Sequence, residues 1–181
     1  MTTHTTPRTT AHGAHTATPT PAHPAAHTPL PIPAAALEEL RAADDAGRPA
    51  VPFTDEEGGA PLRCCLRHST PGERIALVSY APLRRWAAGT GADPGPYDEQ
   101  GPVFVHASGC PGPDGDALPF TNSHRMVRRY SADGRILGGR LVEDAAGFEP
   151  AFAEAFADPR VALVHVRAVE YGCFLYEVRR P

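Results

Sequence analysis

The chain has no lysine: all seventeen of its cationic side chains are arginines, set against twenty-one carboxylates, for a net charge of -4. That balance argues against a broad nucleic-acid or anionic-membrane surface. No apolar run approaches the roughly 18 residues of a transmembrane helix, and the N-terminus lacks the basic start and apolar stretch of a secretory signal, so a soluble, cytoplasmic protein is expected. Without such a signal the four cysteines, Cys64, Cys65, Cys110 and Cys173, are expected to be reduced thiols rather than a disulfide framework. The absence of lysine accompanies an abundance of Ala, Pro and Gly, as codon bias in a GC-rich genome would produce. Arginine number is therefore no sign of anion binding, and only the position of particular guanidinium groups can be.

The first thirty-two residues contain no acidic residue and almost nothing but Thr, Ala, His and Pro. Too few large apolar side chains are present to offset chain entropy, so residues 1–32 are expected to be a disordered tail. Its histidines, His4, His12, His15, His23 and His27, are irregularly spaced and read as incidental. Residues 33–181 then make a single folded domain large enough to bury its own core.

Within that domain PAAALEELRAADDA, from Pro33, reads as a short helix stopped before Gly47. LRCCLRHS and RIALVSYAP, separated by TPGE, read as a β-hairpin, and GPVFVHA as a further strand. PLRRWAAGTGADPGPYDEQG reads as loop with one helical turn at 83–88, and the stretch from Ser108 to His124 as a long loop of the kind that covers a site. RMVRRYSADGRILGGRLVED reads as two strands around an Asp133-Gly134 turn. Phe148, Phe152 and Phe156 recur every four residues on one helix face, and VALVHVRAV and CFLYEVRR close the chain as a hairpin. The expected class is α+β, a mainly antiparallel sheet of six or seven strands with two short helices.

PxRxxLR at 61–67, PGE at 71–73, PYxxxGPVFVHA at 96–107, RYSADGRI at 129–136 and HVRAVEYGCF at 165–174 resemble the bacterial domain-of-unknown-function family 1203 over roughly residues 33–181. The resemblance implies a small bacterial protein with no established activity. The family pattern tends to read PCR where this chain has Pro61, Leu62 and Arg63, so the cysteine is displaced here to Cys64 or Cys65.

Chemistry concentrates in FVHASGC, with His106 and Cys110, and in VHVRAVEYGCF, with His165, Arg167 and Cys173. If both segments are strands of one sheet, the four thiol and imidazole groups are able to converge. Cys64 and Cys65, read as strand residues, face opposite sides and cannot hold one metal without leaving strand geometry. Three readings then compete: a Cys2His2 zinc site; a Cys110 or Cys173 nucleophile with His106 or His165 as base; and cysteines and histidines used as packing. The functional expectation is a small ligand, for which arginine favours negative charge, bound at a His/Arg/Cys-bearing sheet face by Arg63, Arg167 and Tyr97. Group transfer or hydrolysis by a cysteine is its extension. The alternatives are a noncatalytic protein-interaction module and a zinc-binding domain. No reaction, cofactor or protein partner is named by the residue pattern.

Overall fold

The Phe148, Phe152, Phe156 stripe forms the buried face of a helix, and the rest of the fold is layered around it and around a second core. The computed structural model describes residues 26–180. In chain order the strands are β1 (Pro29–Leu30), β2 (Pro52–Asp55), β3 (Pro61–Leu62), β4 (Arg67–His68), β5 (Glu73–Tyr80), β6 (Gly101–His106), β7 (Arg125–Ser131), β8 (Ile136–Val142), β9 (Val161–Ala168) and β10 (Phe174–Arg179). The α-helices are α1 (Ala34–Ala42), α2 (Pro82–Thr90) and α3 (Phe148–Ala157). No helix of the described residues is long and apolar enough to cross a membrane.

The class is α+β, but the strands divide between two sheets instead of one. The first has the order β1-β10-β9-β7-β8 and is antiparallel throughout; the second has the order β2-β5-β6-β3-β4, antiparallel except where β3 runs parallel to β6. Helix α3 packs its phenylalanines on Val127, Val164, Val166 and Tyr176 of the first sheet. Helix α1 packs Leu37 and Leu40 on Ile75, Val78, Val103 and Val105 of the second. Phe174 of β10 belongs to this second core, so one strand ties the two layers together.

The Asp-Gly hairpin forms between β7 and β8, with Gly134 at φ 78; a side chain there would also meet the Pro94 backbone at 3.1 Å. Residues 82–90 form a full helix rather than a single turn, because Pro82 sits at the first helical position and Gly91 ends it at φ 74. Residues 29–32, placed in the tail by composition, carry strand β1 and the buried Ile32. Residues 1–25 lie outside the described residues. The expected pairing of LRCCLRHS with RIALVSYAP does not occur: β5 lies between β2 and β6, while β3 folds back on β4 through a turn at 63–66. That turn carries no glycine or proline, and Leu66 supplies the left-handed conformation itself, at φ 58.

Asp44 holds the end of the α1 segment against β5. Its carboxylate accepts from the backbone N–H of Ala46 at 3.0 Å, Arg48 at 2.9 Å and Ser79 at 3.0 Å. Burial alone would raise its pKa, but these donors hold it below the ordinary carboxylate value. A carboxylate depressed in the folded state gives stability that is present above the unfolded pKa of about 4 and is lost as pH falls through the folded value. Asp44→Ala is therefore expected to cost about 2–4 kcal/mol at neutral pH by orphaning buried donors. In urea unfolding, the gap between Asp44→Ala and the parent chain should narrow below about pH 4; a gap that stays constant with pH would refute the account.

Candidate metal centre

Because residues 63–66 form a turn, the two adjacent cysteines escape the alternation of a strand. Cys64 and Cys65 are both buried, and both sulfurs lie near the His106 ring at the end of β6: Cys64 Sγ is 3.2 Å and Cys65 Sγ 3.9 Å from Nδ1. The chain then leaves β6 and brings back Cys110, so that one donor atom from each of Cys64, Cys65, His106 and Cys110 lies within 4.8 Å of all the others. The segment is fixed from behind by Arg41, which donates to the carbonyls of His106 at 3.1 Å and Ser108 at 2.6 Å.

The other ring nitrogen of His106 faces a charged pair. Nε2 lies 3.3 Å from Arg67 Nη2 and 3.6 Å from Glu73 Oε1, and Glu73 is gripped by both arms of the Arg67 guanidinium at 2.6 and 3.0 Å. The Arg67 fork, with the Thr70 N–H, lowers the Glu73 pKa to about 2, so the carboxylate is ionised at neutral pH. When Nε2 carries its proton toward this carboxylate, Nδ1 keeps the lone pair that a metal needs.

The thiols are unequal. The Cys64 thiol donates toward Cys65, which together with the Arg67 backbone N–H and the Arg67 charge lowers the Cys65 pKa against burial. The same interaction, with burial, raises Cys64. Burial raises Cys110. At neutral pH the trio starts from one favoured thiolate next to two protonated sulfurs.

His165 and Cys173 do not join this cluster, which corrects the expected convergence: His106 and His165 lie on strands of different sheets. His165 is 0% exposed, wedged between Tyr130 at 4.7 Å and Phe174 at 5.1 Å. Burial lowers its pKa, only partly offset by Glu177 at 3.4 Å, so the ring is neutral and inaccessible. The register of the last hairpin slips at a bulge between Phe174 and Tyr176, which sets Glu177 opposite His165. Cys173 lines a separate pocket with Arg63, and its thiol lies 3.7 Å from the Tyr171 carbonyl. Arg167, expected to clamp an anion, is engaged by Glu99 at 3.1 Å and by the Gly172 carbonyl at 2.8 Å. Tyr97 packs with Leu83 and Tyr130 under the Arg135 guanidinium. Glu73 and Arg67 were missed as site residues because nothing in their local pattern shows that the β4–β5 connection folds them onto His106.

Comparison with protein-family models matches residues 59–180 to a family described as "Protein of unknown function (DUF1203)". No curated protein and no solved structure matches.

Proposed function

Because the chain belongs to that family of unknown function, whose matched stretch contains every donor of the cluster, we propose its role from the site itself: a Cys3His centre that binds zinc. The carrying observation is the convergence of Cys64, Cys65, His106 and Cys110 with the imidazole turned Nδ1-inward. Tetrahedral zinc with bonds of about 2.3 Å to sulfur and 2.0–2.1 Å to nitrogen sets its donors about 3.6–3.8 Å apart. The observed 3.2 and 3.9 Å bracket that spacing. Thiolate and imidazole are the ligands zinc prefers. With four protein donors the shell is closed, which assigns the ion a structural rather than a hydrolytic part: it joins the 63–66 turn to the end of β6 and the loop after it. On this reading the chain is a binding domain rather than a cysteine hydrolase. The set differs from Cys2His2 by exchanging His165 and Cys173 for Cys64 and Cys65.

Full-length untagged protein is expected to carry one equivalent of zinc by elemental analysis. Cys110→Ser and His106→Ala should each reduce it below about a tenth of an equivalent, since losing a ligand costs orders of magnitude in affinity. Cys173→Ser should leave it unchanged. The N-terminal histidines remain in every variant, so zinc that persists in Cys110→Ser and His106→Ala is bound elsewhere and the proposal fails. In the parent chain three thiols should resist a native thiol reagent and become reactive on chelation; three thiols reactive from the outset would assign the cluster to thiol chemistry instead.

A further inference from the structure

On the opposite side of the 63–66 turn a pocket of about 680 Å³ opens between the two sheets. Two of its arginines are buried, Arg63 at 3% and Arg125 at 9% exposure. Arg63 donates from Nε to the Phe174 carbonyl at 2.8 Å and from Nη1 to the Pro61 carbonyl. Arg125 donates from Nε to the Phe120 carbonyl at 3.1 Å and from Nη1 to the His124 carbonyl at 2.9 Å. Both forks are thus held by neutral backbone acceptors, and neither Nη2 has an acceptor among the described residues. Neither Nη2 is occluded from solvent space. Among the described residues the nearest carboxylate to either guanidinium is Glu170, 3.8 Å from Arg125 and half-exposed.

Burying a cation without a counter-charge is costly, and proteins rarely do so without an opposing charge to meet it. Glu170 is the one carboxylate on the wall among the described residues, and it approaches Arg125 only at Nη1; His68, Cys173 and Ser123 are the other polar groups there, and the remaining surface includes Leu77, Phe104 and Leu175. Phe120, whose carbonyl fixes Arg125, adopts φ 57, a conformation costly for a bulky residue and kept where the surrounding structure requires it.

We propose that this pocket binds a small organic anion, a carboxylate or phosphate monoester with an apolar body, with the two free Nη2 donors of Arg63 and Arg125 on its charged group. Paired guanidinium donors recognise planar or tetrahedral oxyanions, and Leu77, Phe104 and Leu175 receive the apolar part. The pocket is distinct from the Cys3His centre and requires no metal chemistry.

Cys173, on the pocket wall, reports its occupancy. Native full-length protein is treated with iodoacetate or iodoacetamide, and modification of Cys173 is followed by peptide mass spectrometry, with the unfolded chain as reference. The arginines should raise the iodoacetate-to-iodoacetamide rate ratio at Cys173 about tenfold over the unfolded chain, the size expected of one or two partly screened charges. Phenyl phosphate should slow the native reaction and benzyl alcohol should not. Inorganic phosphate should protect more weakly; equal protection by both phosphates would overturn the apolar half of the proposal. Arg125→Gln should lower the ratio toward the unfolded value, with Arg63 sustaining the remainder. A native ratio equal to the unfolded one, together with no protection by phenyl phosphate, would overturn the proposal, and that result depends on no variant folding.

Discussion

Chelation of the metal is expected to lower the melting temperature of the full chain by about 10 °C. A ligand held at a thousand times its dissociation constant stabilises by about 4 kcal/mol, and each kcal/mol shifts a protein of this size by about 2–4 °C. The donors come from two stretches distant in sequence, the 63–66 turn and the 106–110 segment, joined otherwise by the short β3 pairing with β6 and a few hydrogen bonds such as His106 N–H to Cys64 Sγ at 3.3 Å. Both β3 and its hairpin partner β4 are two residues long. Cys65→Ser should begin at the lower melting temperature and show no further fall on chelation. Scanning calorimetry of both proteins with and without a strong chelator decides the matter. A parent chain indifferent to chelation would leave the cysteines as packing residues only.

Phe152→Ala should cost about 3–5 kcal/mol, the range for removing a fully buried ring. Phe152 is 0% exposed, lies 6.2 Å from Phe148 and contacts the His27 ring at 5.7 Å. His27 is itself stacked on Phe156 and lies 2.7 Å from Glu149, so the loss should also loosen residues 27–30 from α3. Denaturant unfolding should report the loss, while zinc content stays at the parent level because the two cores are separate. A cost under about 1 kcal/mol would mean that the stripe does not carry the core.

Elements with strong local signals were legible in the sequence. The four-residue phenylalanine period and the Asp-Gly pair need no information from distant residues, and α3 and the β7–β8 hairpin form as read. His106 and Cys110 were recognised as a unit because the strand ends and the chain turns between them. Cys64 and Cys65 were legible as thiols but not as ligands. Their convergence depends on a four-residue turn with no turn-forming residue, closed by the left-handed Leu66. His165 and Cys173 were misplaced for a different reason: assignment to one sheet or two is decided by packing between helices and strands, which alternation along a strand does not encode. The slip at Phe174 then sets Glu177, not Cys173, opposite His165. Arg167 was a sound candidate for holding an anion, but the anion it holds is Glu99, nearly seventy positions earlier in the chain. Arg125 went unnoticed because it begins a strand in a run of arginines; only its backbone-anchored fork distinguishes it.

The outermost pairing of the first sheet sets Pro29 opposite Val178. Residues 29 and 178 therefore sit a strand spacing of about 5 Å apart on antiparallel neighbours. In a chain shortened to residues 26–181 a short linker would close this point into a ring, and the exposed stretch around Asp114 offers a place to reopen it. A circularly permuted chain beginning at Gly115 should keep both cores and both sites, with Cys110 moved close to its new C-terminus.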